Sequence, residues 1–224
     1  MTYVMSDLFG NYEKFKEMLE KISFGEEDIL YLLGNTVDYG EGSVELINDL
    51  SMRMNVYPVA GEHDYLAARM LRGFEKMLKD GATPDAGYIS EMTAWVQKSG
   101  GQPTLEGFRA LDAEGREGVL EYLEEMTLFE EVDTDRASYL LVHAGIAGYE
   151  ADSDLDDYSP EDFFSESPDP TVRTVADRVL VVGHRATKSG RIEYGNGSIF
   201  INCGVKDGGA LACLCLENGK EFYV

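Results

Sequence analysis

The chain contains only three histidines, and each closes an apolar, β-rich run within two residues: His63 after VYPVA-GE, His143 after YLLV and His184 after VLVV-G. Compact polar residues occupy the same context at two further runs. Asp7 follows Thr2–Met5, and Asn35 follows Ile29–Leu33 with Asp38 close behind. Glu62 and Asp64 flank His63. Imidazole, carboxylate and amide oxygen together form a mixed donor set for one borderline divalent ion such as Zn, Mn, Fe or Ni. A single histidine in such a place more often caps its strand by hydrogen bonding. Three in one shared context favour a metal-site layout.

Such a cluster needs strands that end together. Buried strands of a parallel sheet read as continuous apolar runs, and ligands of open α/β sheets sit beyond the strand C-termini. Thr2–Met5, Ile29–Leu33 and Val56–Val59 are such runs. Between them, Tyr12–Ile22 carries Phe15, Met18, Leu19 and Ile22 at helical spacing, and Ser43–Met52 carries Val44 and Ile47. The order is β-α-β-α-β, with right-handed crossovers between parallel neighbours. Residues 65–127 form a mostly helical insertion, with helices expected at Tyr65–Lys79, Ser90–Lys98 and Gly118–Met126 and another opening at Thr104 as N-cap. Such an insertion serves either as a lid or as packing mass. The remainder is β-rich, with short strands at Tyr139–Val142, Val179–Val182, Arg191–Tyr194, Ser198–Asn202, Leu211–Leu216 and Glu221–Val224. Their spacing suggests a second, largely antiparallel sheet. With no repeat or low-complexity linker, residues 1–224 read as one domain.

At 44% hydrophobic and 27% charged residues the chain is globular. Its formal net charge of −23 excludes general attraction to nucleic acid or an anionic membrane. The same field repels phosphorylated ligands unless a metal or local arginines reverse it. Three cysteines, Cys203, Cys213 and Cys215, are too few and too odd in number for a disulfide framework. Cys213 and Cys215 alternate with leucine, as small core residues on one strand face would. No basic-plus-apolar leader and no membrane-length apolar run is present, so a cytoplasmic location is expected.

The motif order SDLFG, GNTVDYG, GEHD, LVHAG and GHR resembles the calcineurin-like metallophosphoesterases, nearest to their serine/threonine protein phosphatase branch in its bacterial form. Trp95, Gly100, Gly101 and Thr104 resemble a W-x-x-x-GG-x-x-T pattern in that family's insertion, with one more residue between the tryptophan and the glycines. The resemblance implies an α/β fold of two mixed β-sheets sandwiched between helices, with a dinuclear metal site at the strand ends. It also implies that His63 is the general acid that protonates the leaving group and that Asp38 is the carboxylate orienting it.

The departures from the pattern are specific. A histidine that would hold the first metal beside Asp7 is Phe9, and the bridging aspartate is Asn35. The resemblance therefore implies loss of the first metal and retention of at most one, on Glu62, His143 and His184, with Asn35 or Asp7 as a further ligand. The arginine of the family's VDRG clamp is Tyr39, which leaves a weaker substrate-binding group. A second clamp arginine is replaced by Ser167 or a neighbour, with Arg173, Arg178 and Arg185 as candidate substitutes. Two expectations follow. The first is a pseudo-phosphatase with weak or absent phosphatase activity that binds a protein or small-molecule ligand. The alternative is an active mononuclear, metal-dependent phosphoester hydrolase using the Asp38–His63 dyad.

Overall fold

The computed structural model describes residues 1–81 and 83–224. Two five-stranded sheets face each other. The first contains β1 (Thr2–Met5), β2 (Ile29–Leu33) and β3 (Val56–Val59), joined by α1 (Tyr12–Ile22) and α2 (Ser43–Ser51). β1, β2 and β3 are mutually parallel, as the crossover helices require. The C-terminal strands β9 (Ala212–Cys215) and β10 (Glu221–Tyr223) extend this sheet antiparallel on the other side of β1. The second sheet has the order β4-β5-β6-β8-β7, built from Phe129–Asp133, Ser138–Val142, Val179–Val182, Ser198–Phe200 and Glu193–Tyr194 respectively. β5, β6 and β8 run parallel, and the two edges are antiparallel.

Alternation along the strands divides the core. Val4, Leu33, Val59, Leu141, Val181, Ile199 and Leu214 fill the space between the sheets. Met5, Leu30 and Leu32 point the other way, against Phe15, Met18, Leu46 and Leu50 of α1 and α2. On the outer face of the second sheet, Leu140, Val142, Leu180 and Val182 meet the insertion helices α3 (Glu62–Asp80), α4 (Ala86–Lys98), α5 (Gln102–Ala110) and α6 (Ala113–Glu124). Met70, Trp95, Phe108 and Leu120 from those four helices are completely or almost completely buried there. The insertion is thus the helical layer of the second sheet.

Two mixed sheets flanked by helices match the fold expected from the motif order. The strand-by-strand reading needs correction. The second sheet is parallel at its centre, because β5, β6 and β8 are joined by long connections; the short turns that suggest antiparallel pairing lie at its edges and in β9–β10, which belong to the first sheet. Helix α3 begins at Glu62 and not Tyr65, because Asp64 accepts from the backbone N–H of Gly61 and closes the first turn. α4 likewise starts earlier, at Ala86, with Asp85 capping Tyr88 N–H. Thr104 lies inside α5, whose cap is Gly101. Cys213 and Cys215 are buried in the first sheet's core. Among the described residues no helix is long and apolar enough to cross a membrane.

Candidate functional site

The C-terminal ends of β1, β2, β5 and β6 open on one side, and their loops are stitched together. Asp7 N–H donates to Gly34 O at 2.9 Å, Phe9 N–H to Asn35 O at 2.8 Å and Gly10 N–H to Thr36 O at 2.8 Å. Gly183 N–H reaches His143 O at 2.8 Å, and His184 N–H reaches Asp7 Oδ2 at 2.8 Å. Asp64, fully buried on α3, accepts from Thr36 N–H at 2.8 Å and Val37 N–H at 3.3 Å, tying the helix start to the β2 loop. Burial drives the Asp64 carboxyl up to about 6, against the pull of those backbone donors. Gly34, at φ +70°, leaves no room for a side chain, since a Cβ there would sit 2.5 Å from Gly61 and 2.7 Å from the His143 ring.

Backbone strain concentrates at this spot. Among the described residues, seven non-glycine residues have positive φ, and six of them are Asp7, Phe9, Asn35, Asp38, Tyr39 and His184. Left-handed conformations of this kind cost on the order of 1–3 kcal/mol each and persist where the surroundings over-determine them, chiefly at functional sites.

Asp38 and His63 form a direct pair, His63 Nδ1 to Asp38 Oδ2 at 2.7 Å. Asp38 is fully buried and its carboxylate is saturated. Trp95 Nε1–H donates to Oδ2 at 2.9 Å and Thr104 Oγ1–H to Oδ1 at 2.8 Å, while Asp38 N–H returns a bond to Thr104 Oγ1 at 3.0 Å. An acceptor-only carboxylate on Nδ1 requires that nitrogen to carry the proton, so Nε2 is the ring atom left for the crevice. Burial works to lower the His63 pKa, but the bond and charge of Asp38, helped by Glu62 and Asp64, outweigh it and hold the imidazolium above its ordinary value. The Trp95 and Thr104 contacts give the pattern of Trp95, Gly100, Gly101 and Thr104 a physical meaning. Gly100, at φ +76°, lets the α4–α5 turn lie against Tyr39, whose ring a Cβ would meet at 2.7 Å, and Tyr39 N–H bonds Gly100 O at 2.8 Å. The two donors to Asp38 were not foreseen from the sequence, although the spacing that places them was visible.

Glu62, His143 and His184 converge beside this pair. His143 is fully buried; its Nδ1–H donates to Leu33 O at 2.8 Å, leaving the Nε2 lone pair free. Burial depresses the ring to about 4, so it is neutral, as a metal ligand must be. His184 Nδ1 stands 3.3 Å from His143 Nε2. Two nitrogens on one tetrahedral ion lie about 3.3–3.4 Å apart when each bond is about 2.0–2.1 Å. Glu62 Oε1 stands off at 3.9 Å from His184 and 3.8 Å from His63 Nε2. Among the described residues no three acidic, histidine or cysteine side chains close around one point. By residue type these three are donors suited to a divalent ion, with the half-exposed Glu62 carboxylate as the group that has to move in.

Asp7, Phe9 and Asn35 are engaged with one another's loops and with the dyad. Asn35 Oδ1 accepts from His63 N–H at 3.1 Å, so its amide nitrogen faces Asp7 and donates to Asp7 Oδ1 at 3.0 Å. Both Asp7 oxygens are thereby taken, one by Asn35 and one by His184 N–H. Burial raises the Asp7 carboxyl to about 6 despite these donors. Phe9 packs edge-on to His63 and Tyr39, with ring centroids 5.3 and 5.4 Å away. An aromatic edge and an amide N–H₂ offer no lone pair to a cation at these two positions.

Of the arginines considered as clamp substitutes, Arg173 bonds the carbonyls of Ala176 and Arg178, and Arg178 pairs with Glu131 at 2.9 Å. Arg185 lines a neighbouring cavity of about 280 Å³ with Ser167 and Lys188. Sequence reading missed one cation that stands on the aromatic rings beside the dyad. Lys206 Nζ lies 4.6 Å from the Tyr39 ring centroid and 5.3 Å from that of Phe9.

Comparison with known proteins agrees with the geometry. A segment of 65 residues is 42% identical to the symmetrical bis(5'-nucleosyl)-tetraphosphatase of Buchnera aphidicola subsp. Acyrthosiphon pisum (strain Tuc7), covering 28% of this chain and 24% of that relative. The enzyme of the same name from Cronobacter sakazakii is 30% identical over 110 residues, covering 47% and 38%. These matches span well under half the length of the curated relatives. Among solved structures, a protein provisionally described as a diadenosine tetraphosphatase superposes with a TM-score of 0.68 at 16% identity, covering 100% of this chain and 92% of that one. A metallophosphoesterase from Sphaerobacter thermophilus gives 0.56 at 15% identity, covering 99% and 85%. The family model for calcineurin-like phosphoesterases matches residues 2–215. On that match, and with the motifs gathered at one set of strand ends, this chain belongs to the calcineurin-like phosphoesterase family.

Proposed function

We propose that this protein is a single-ion phosphoester hydrolase, slow beside a two-ion enzyme, in which His63 protonates the leaving-group oxygen. The observation that carries this reading is the Asp38–His63 pair, with three side chains converging on Asp38 to hold one imidazole in one tautomer. Glu62, His143 and His184 are the residues that would hold the ion, and Asn35 and Asp7 are engaged with each other. A bound divalent ion supplies Lewis-acid polarisation of a phosphoryl oxygen and lowers the pKa of bound water.

The chain's own part is acid–base and positional. Asp38 fixes His63 Nδ1–H and favours the charged ring, so Nε2–H can pass its proton to the departing oxygen while Asp38 stays anionic. Phe9 and Tyr39 pack against the imidazole and limit its movement. Tyr39 presents one phenolic donor where a guanidinium would give a bidentate fork, which weakens the hold on a phosphoryl group. Loss of one oxyanion donor typically costs about 10²–10³ in rate, which is the reason for expecting slow turnover. The substrate class is a phosphate ester or phosphoanhydride; the names of the curated relatives make a bis(5'-nucleosyl) tetraphosphate the first to try.

A second reading, ligand binding without turnover, is favoured by the Asn35–Asp7 hydrogen bond, which satisfies internally the carboxylate that an ion would otherwise neutralise. Metal analysis joined to assays of a bis(5'-nucleosyl) tetraphosphate, a phosphodiester and a phosphomonoester separates the two. The first reading expects one metal equivalent, measurable hydrolysis and a loss of about 100-fold in kcat for His63→Asn with the metal retained. No hydrolysis of any of the three leaves the binding reading, and two metal equivalents reject the single-ion assignment.

A further inference from the structure

Lys206 sits on a short turn, Val205–Asp207, in the crossover from the second sheet back to the first. The turn is bounded by Gly204 at φ 82° and Gly208 at φ 86°, and Gly209 N–H closes it on Gly204 O at 2.9 Å. It is pinned from two sides. Buried Asn202 donates from Nδ2 to His184 O at 2.7 Å and accepts at Oδ1 from Gly204 N–H at 2.8 Å, so one amide joins the His184 turn to the Lys206 turn. On the outside, Lys14 Nζ donates to Gly209 O at 3.2 Å and Val224 O at 2.9 Å.

Held in this way, the Lys206 ammonium lies over Tyr39 and Phe9, the two residues that stand where the family pattern has an arginine and a metal-binding histidine. Both rings also contact His63, at 5.5 and 5.3 Å between centroids. Among the described residues Lys206 makes no ion pair. An ammonium resting on aromatic faces spends no donor on a carboxylate, so the N–H groups turned away from the rings stay available to a ligand while the rings limit where it can go.

We infer that Lys206 is the anion-binding group of this site: it receives the non-bridging oxygens of a phosphoryl group beside His63, with Tyr39 and Phe9 as the platform that aims it. The inference rests on the phosphoester reading for its ligand class, but not on turnover. It also accounts for how a crevice ringed by Asp7, Asp38, Glu62 and Asp64 on a strongly acidic molecule can accept an anion at all.

The test is calorimetric binding of inorganic phosphate to the full chain and to Lys206→Met, Lys206→Arg and Arg185→Met. Lys206 is exposed, so its replacement leaves the core intact. Lys206→Met is expected to weaken phosphate at least about tenfold, as loss of a charge-assisted hydrogen bond does. Lys206→Arg stays within about threefold, and Arg185→Met binds as the parent does. Equal affinity in Lys206→Met and the parent overturns the inference, as does a loss confined to Arg185→Met, which would move the contact to the neighbouring cavity. A parent that binds no phosphate overturns it too. Phosphate binding through Lys206 without hydrolysis of any ester rejects the hydrolase reading and leaves this one standing.

Discussion

At the scale of single residues, the site is two pairs with opposite characters. Asp38–His63 is a charged pair whose geometry is saturated by Trp95 and Thr104. Asp7–Asn35 is a buried carboxylate held by a neutral amide donor. His143, against His184 and the end of β2, is buried and held neutral. Its folded-state pKa, about 4, is below the unfolded value near 6.5, so the unfolded chain binds the proton more readily. The stability it contributes is complete above about pH 6.5 and is lost as the pH falls toward 4. Asp7, raised to about 6, has the opposite sign, its contribution being full below about 3.9 and lost as the pH rises through 6. In chelator-treated protein, His143→Asn should therefore gain on the parent by about 2–3 kcal/mol between pH 7.5 and 4.5 in urea unfolding, because only the parent carries the histidine's cost. A difference that does not change with pH would mean that His143 is not held neutral.

At the scale of elements, the insertion does two jobs through one packing arrangement. α3 to α6 cover the outer face of the second sheet, and the α4–α5 turn delivers Trp95 and Thr104 to the loop after β2. The link is tight enough that Gly100 is required against Tyr39. Thr104→Val keeps the volume of the side chain and removes both bonds to Asp38. Leaving a buried carboxylate and a buried N–H short of a partner should cost about 2–3 kcal/mol in chemical denaturation, several times what an exposed threonine would. A cost below about 0.5 kcal/mol would show that Asp38 finds other donors and that α5 does not orient the dyad.

At the scale of the whole molecule, the net charge of −23 opposes the approach of any phosphate ester. Repulsion over distances beyond a Debye length is screened as salt rises from about 10 mM to 0.1 M, where that length is near 10 Å. With a slow but measurable substrate, kcat/KM should rise about two- to threefold over this range, the reverse of an enzyme with a steering field of favourable sign. A fall with salt would mean that local cations govern encounter as well as binding.

Much of this was legible in the sequence because it is local. Three apolar runs with helices between them dictate parallel strands, and the residues just past each run must share one edge. That reasoning brought Asp7, Asn35, His143 and His184 together; only Glu62 and His63 turned out to lie on a helix's first turn, where the cap by Asp64 extends α3 backward. The same local reading misjudged the second sheet, since strand pairing between segments distant in sequence leaves no periodic trace: β9 and β10 join β1, and β6 pairs with β8. Residue types alone set the departures from the family's motif pattern at Phe9, Asn35 and Tyr39. Tertiary structure alone decided what those three side chains touch. An amide orients by which neighbour donates and which accepts, and a lysine on a remote crossover reaches an aromatic pair only when the two sheets are folded face to face.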